Sequence, residues 1–299
     1  MKLLICSDGT SASDNATNLA ALISKPARAQ LTLLGIAENV EDEEPLRQTL
    51  EKQAQLLRQT GGAEPRIFAR AGDPVTQILA ESSVNKYDLV IVGARLKRMS
   101  GPFWHSQRTY EVIKSIEPPV LVAIGNCTRL ARVLLCSGGK RYIDAGVRLT
   151  GAIAAAVGAR VTLLHVMAEP PAMYADLVQM EEDVGSLLAS DSELGQNLKA
   201  EKQVLEKLGV TTEVRVRHGL VIDQVFEEVN EGDYDMIVSG SSRARGPLRH
   251  YIMGDLTRSI LNRAPCPVLV ARSSVTGFSS NFFATLRERL FPRAATRQL

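Results

Sequence analysis

With 299 residues, 45% hydrophobic and 23% charged, the chain has the size of two soluble globular domains, each able to bury roughly 70% of its unfolded surface. A net charge of +2 and 5% aromatic residues argue against nucleic-acid recognition by a basic surface or a base-stacking platform. No apolar run reaches the roughly 18 residues of a membrane span, Met1 to Asp8 is too short for a signal peptide, and Cys6, Cys127, Cys136 and Cys266 make no CxxC pair, so a reduced, cytoplasmic protein with core thiols is expected.

In chain order, Leu3 to Ser7 is a short apolar run without period-two alternation, the pattern of a strand buried on both faces. Ala12 to Ile23 places Ala16, Leu19, Ala20 and Ile23 at helical spacing, and Thr32 to Leu34 lies in a second strand. Leu46 to Gln59 sets Leu46, Leu50, Ala54 and Leu57 on one helical face, and Gly61-Gly62 stops it. Gly72-Asp73-Pro74 opens a short helix over Val75 to Val84, ahead of a strand in Tyr87 to Gly93. A helix over Thr109 to Ile116 precedes a last strand in Pro119 to Ala123.

The chain then repeats itself in the same order. Leu3 recurs as Val133 and Thr32 as Thr162, both 130 residues on; Tyr87 recurs as Tyr234, 147 on, and Pro119 as Pro267, 148 on. Helices are predicted over Ile222 to Val229 and Leu256 to Leu261. The offset grows from 130 to 147, so an insertion of 17 residues lies between about Ala168 and Ala200. It holds Pro170-Pro171, then Met173, Leu177, Met180, Val184 and Leu188 at helical spacing, read as a packing helix or lid over the sheet edge. Strands alternating with helices imply an α/β chain of two tandem, doubly wound, five-stranded parallel-sheet domains of Rossmann-like type. The expected domains are 1–127 and 128–273. A basic tail, 274–299, follows, with Phe282, Phe283, Leu286 and Leu290 on one face beside Arg287, Arg289 and Arg293. Such a tail docks on its own protein, on a protein partner or on an anionic membrane surface.

Asp8-Gly9-Thr10 follows the first strand, Gly72-Asp73-Pro74 leads toward a fourth strand that ends in Gly93, and a basic loop with Arg95, Lys97 and Arg98 comes after it. This set, twice over, resembles the universal stress protein family across about residues 1–125 and 131–272, a fold shared with adenine nucleotide alpha hydrolases. The resemblance implies an adenine-nucleotide site, ATP above all, built from an Asp after strand one and a G-x2-G-x9-G-S/T motif after strand four. The first half keeps Asp8 and Gly93 but has Leu96, Ser106 and Gln107 at the other motif positions. The second half keeps Gly240, Gly246 and Gly254, with Ser241 and Arg243 beside them, but Gly138 replaces the Asp and Asp255 the Ser/Thr. Glycines let backbone amides approach a phosphate at a helix N-terminus, whereas a carboxylate there repels it.

Ser137-Gly138-Gly139-Lys140 also resembles part of the loop of PP-loop ATP pyrophosphatases, and reads either as an anion nest or as a Gly-rich turn with a solvated lysine. Arg243, Arg245 and Arg249 suit phosphate or are solvated loop charge, and His105 and His250 complete no metal set. The family resemblance implies that the halves pack through Val120 to Ala123 and Val268 to Ala271, and that whole chains form a homo-oligomer. The expected role is small-ligand sensing or protein interaction in a stress response, without a catalytic residue. The alternatives are slow nucleotide hydrolysis, with Asp255 as a metal ligand, and an interaction scaffold with both sites closed.

Overall fold

The computed structural model describes residues 1–59, 64–94, 107–139, 144–168, 184–243, 251–252 and 254–272. The first half runs β1 (Lys2–Ser7), α1 (Ser11–Ala27), β2 (Gln30–Ala37), α2 (Glu43–Gln59), β3 (Arg66–Ala71), α3 (Pro74–Val84), β4 (Leu89–Gly93), α4 (Gln107–Ser115) and β5 (Val120–Ala123). The second runs β6 (Arg132–Ser137), α5 (Asp144–Val157), β7 (Arg160–Met167), α6 (Val184–Ala189), α7 (Glu193–Lys207), β8 (Thr212–His218), α8 (Val221–Gly232), β9 (Met236–Arg243), β10 (Tyr251–Ile252), α9 (Asp255–Arg263) and β11 (Val268–Arg272).

Both halves are doubly wound, and they share one sheet in the order β3-β2-β1-β4-β5-β11-β9-β6-β7-β8, with the short β10 pairing off β9. Within each half these neighbours are parallel. The halves meet where β5 and β11 run antiparallel, Val122 opposite Val268 and Val120 opposite Val270. This is the joint that the family resemblance implies. Runs such as Leu3-Leu4-Ile5 are buried on both faces because helices cover both. Leu3, Ile5, Leu33 and Ile91 pack with α1, α2, α5 and α7. Leu4, Cys6, Val90 and Val122 pack with α3, α4, α8 and α9.

The repeat extends to polar side chains. Arg70 on β3 bonds Glu81 on α3 at 2.7 Å, and the Tyr87 hydroxyl donates to the same carboxylate at 2.8 Å. In the second half, 147 residues on, Arg217 donates to Glu228 at 2.8 Å, the Tyr234 hydroxyl donates to the same carboxylate at 2.5 Å, and Arg215 adds a third bond. Burial pushes Glu228 up, but the Tyr234 and Arg217 hydrogen bonds and the charges of Arg215 and Arg217 outweigh it and hold the carboxyl below its usual range. Asp88 and Asp235 tie each fourth strand to the start of its first, accepting from Lys2 N and from Arg132 N.

The insertion is shorter at its end than expected. β2 ends at Ala37 and α2 begins at Glu43, while β7 ends at Met167 and α7 begins at Glu193. Glu193–Lys207 is thus the repeat's own second helix, and the added residues precede it. Val184 and Leu188 lie on α6, whereas Met173, Leu177 and Met180, like Gly61-Gly62 and the tail, fall outside the described residues.

The joint carries one polar anchor. Arg272, only 3% exposed at the end of β11, donates to the carbonyls of Ile113, Ile116 and Pro118 and to Ser241 Oγ. Three acceptors belong to the C-terminal turn of α4 and the residues after it, where the helix dipole favours a cation. Beside it the Tyr110 hydroxyl on α4 donates to Asn262 on α9.

Candidate ligand site at the carboxyl ends of the strands

In open parallel sheets, ligands bind beyond the carboxyl ends of the strands, where the winding reverses. That point lies between β1 and β4 in the first half and between β6 and β9 in the second. Since β5 and β11 are antiparallel, the two points open at opposite ends of the sheet.

In the first half, Asp8 is exposed and its Oδ1 accepts from Thr10 N at 3.0 Å and Thr10 Oγ1 at 2.5 Å. Gly9 adopts φ +74° and donates its N–H to Ser7 Oγ at 3.2 Å. The Thr10 carbonyl accepts from Ser13 N and Asp14 N, which starts α1. Gly93 is pressed against this turn: a Cβ there would lie 2.2 Å from the Ala12 carbonyl oxygen and 2.9 Å from Ser13 N. Gly93 is therefore a packing glycine, and the first turn of α1 fills the space beyond β4. Arg95 and Leu96 lie outside the described residues.

In the second half, the turn after β6 keeps the same bond, Gly139 N to Ser137 Oγ at 3.1 Å, with Gly139 at φ +68°. Gly138 is exposed, but Gly139 is buried. A Cβ there would lie 2.6 Å from Leu194 Cδ1 and 2.8 Å from His165 Cε1. His165 Nδ1 sits 2.9 Å from the Ser137 carbonyl, which can only accept, so Nδ1 carries the proton. Asn197 Nδ2 donates to Gly139 O at 2.9 Å. His165 and Asn197 brace the turn from beneath. Neither stands out in the sequence; the only signal is that the offset of 130 sets His165 against Gly35. Lys140 lies outside the described residues.

Among the described residues, the end of β9 has different surroundings from that of β4. Gly240 is exposed, and a Cβ built on it or on Gly254 meets no described atom within 4 Å. Gly254 is the N-cap of α9, and Asp255 stands exposed at the first position of that helix. Thr257 in the first turn donates to Gly240 O at 2.9 Å and bonds Ser239 Oγ at 2.8 Å, so the glycine strand end and the helix N-terminus are held side by side. The Ser241 hydroxyl is directed into the joint instead, bonding Ala271 O and Arg272. Arg243 pairs its backbone with Tyr251, and Gly246 lies outside the described residues. No group of three or more His, Cys, Asp or Glu suited to a metal occurs among the described residues. Burial pushes the Cys136 thiol up to about 12, with Glu228 adding to the shift, as a core thiol requires.

Among the described residues, this second-half arrangement sets exposed, side-chain-free backbone beside the first N–H groups of a helix whose N-cap makes no side-chain hydrogen bond, a surface suited to an anionic group.

Residues 131–272 match the model of the Universal stress protein family. A universal stress protein from Archaeoglobus fulgidus is similar over 91% of this chain and 98% of its own, at 19% identity and a TM-score of 0.67. A functionally unknown protein from Pseudomonas aeruginosa is similar over 96% of both chains, at 16% identity and a TM-score of 0.64. These likenesses establish the fold across both halves. No curated protein matches the chain in sequence. No helix among the described residues is long and apolar enough to cross a membrane.

Proposed function

We propose that the chain, whose residues 131–272 match the Universal stress protein family model, is a tandem member that binds a phosphate-bearing small ligand of the adenine-nucleotide class in its second half, and serves as a sensor in a stress response. The observation that carries this reading is the contrast between two equivalent glycines. Gly93 lies against the Ala12 backbone, whereas Gly240 and Gly254 face open space among the described residues, beside the first turn of α9. The backbone around Gly240 and Gly254 would meet the phosphates, with the α9 N-terminus supplying favourable partial charge. Arg243, at the end of β9, would add cationic charge, and Gly138 and Gly139 would bound the site on the β6 side. Asp255 opposes a bare polyphosphate, so a divalent cation would accompany a triphosphate. Asp8, Gly9 and Thr10 would form the corresponding rim in the first half, which α1 narrows.

The test is the thermal midpoint of the full chain with Mg-ATP, AMP and cyclic di-AMP. A ligand at about 100 times its Kd adds roughly 2.7 kcal/mol, a shift of several degrees. Gly240→Val adds a branched side chain where a Cβ meets no described atom within 4 Å, and should abolish the shift while leaving the unliganded protein folded. A saturable shift that survives Gly240→Val would place the site elsewhere. No shift with any of the three leaves the interaction scaffold as the reading.

A further inference from the structure

Among the described residues the sheet ends at β8, whose far side pairs with nothing. The Thr211 carbonyl accepts from Val161 and the Gly219 N–H donates to Met167, so odd-numbered residues turn their backbone groups to β7. Thr212, Val214, Val216 and His218 therefore point theirs away from the sheet. No proline or bulge interrupts this edge; its guards are the charges of Glu213, Arg215 and Arg217, which resist only a partner that does not match them. A groove of about 610 Å³ runs beside it, lined by Glu213 to His218 with Val184 and Gln224. The opposite edge is guarded: the outward Ala71 N–H on β3 donates to Glu43 Oε1 at 2.7 Å.

We propose that β8 is the docking edge for a second copy of this chain, the two strands pairing antiparallel about a two-fold axis at Val214. A two-fold axis normal to the sheet keeps each face on its own side, so odd residues oppose odd residues. Centred on Glu213, such an axis sets glutamate against glutamate. Centred on Arg215 it sets arginine against arginine, and centred on Val216 it sets Arg215 against Arg217. Centred on Val214 it avoids every like-charge pair within the strand. Glu213 then faces Arg215 of the second copy, twice over, in the non-hydrogen-bonded pairs where side chains come closest. Thr212 faces Val216 of the second copy, and Val214 its own equivalent, with backbone N–H and C=O groups exchanged. Arg215 Nε already bonds Glu213 within the chain at 2.9 Å, so the two copies close a ring of alternating charge. β3 carries Arg66 and Arg70 and no acid, and lacks this self-complementarity.

Sedimentation equilibrium on the full chain tests the proposal. The expected species is a dimer of twice the 32.5 kDa chain mass. Glu213→Arg, at a side chain 60% exposed, should raise the dimer dissociation constant on the order of 100-fold by opposing like charges twice. Val216→Pro removes an outward donor and no bond to β7, and should also give monomers. Ala69→Pro on β3 should leave the dimer intact. Circular dichroism shows whether each variant is folded, and either folded variant suffices. A wild-type monomer at every concentration overturns the proposal, as does a dimer whose mass a folded Glu213→Arg or Val216→Pro leaves unchanged.

Discussion

Adding one methyl group at each of two equivalent glycines should move stability in opposite directions. In Gly93→Ala the new Cβ lies 2.2 Å from the Ala12 carbonyl oxygen and 2.5 Å from its carbon. Both are backbone atoms at the start of α1, so no side chain can swing aside, and the helix must shift against β4. Overpacking of this kind costs about 1–3 kcal/mol, and backbone contact places Gly93→Ala at the upper end. In Gly240→Ala the Cβ meets no described atom within 4 Å, and the residue is not among those with positive φ. Removing the glycine's unfolded-state freedom then stabilises by about 0.5 kcal/mol. The two variants should differ by about 3 kcal/mol, or roughly 6–12 °C at the 2–4 °C per kcal/mol typical of domains of this size. Differential scanning calorimetry without ligand measures both. Equal losses at the two positions, or a greater loss for Gly240→Ala, would refute the view that one strand end is filled and the other open.

Three further outcomes are expected. Arg272→Met leaves the carbonyls of Ile113, Ile116 and Pro118 without this donor, and should cost about 3 kcal/mol in denaturant unfolding, with Arg272→Lys recovering only part because it lacks the planar fork. Because the Glu228 carboxyl is held below its usual range, its contribution is present above the unfolded value near 4.3 and is lost as pH falls through the folded value. Glu228→Gln should thus be less stable at pH 7 and show a flatter loss below about pH 4.3, read from thermal midpoints against pH. Burial pushes the Cys266 thiol up to about 12 and the Cys6 thiol further still, so a thiol reagent at pH 8 should reach at most the half-buried Cys127 in the native protein and all four cysteines in denaturant.

The elements most legible in the sequence were those carried by apolar runs. Leu3 to Ser7 and Pro267 to Ala271 announce buried strands because β-rich residues covered on both faces need no alternation. The placement of β5 beside β11 followed from family resemblance, since nothing local in Val-Leu-Val names its partner. The polar clusters were less visible. Arg70, Glu81 and Tyr87 stand at different spacings, and only the fold brings them together; Tyr234 was found as the counterpart of Tyr87, but the recurrence of Arg70 and Glu81 as Arg217 and Glu228 at the same offset of 147 lies outside any apolar block. At the candidate site, the motif glycines of the two halves look alike as letters. What marks Gly93 is the approach of the Ala12 backbone at the start of α1, a distance that residue identity does not encode. His165 and Asn197 were missed for the same reason: their role is to hold a turn, and that role has no spacing rule.

The anchor at the joint bears on why two such domains share one chain. In a dimer of identical subunits, every contact across the axis is made twice, so a buried arginine on one side requires another on the other. Here Arg272 has Ile124 as its counterpart 148 residues earlier, and that isoleucine is 1% exposed. One side of the axis holds a cation that grips the end of a helix, while the other holds hydrocarbon. Covalent fusion permits this inequality, because each half meets only one partner and never its own copy across this axis. Once symmetry no longer binds the joint, it need not bind the ends of the sheet either. The first half is free to press the start of α1 against Gly93 without the second half having to repeat that contact.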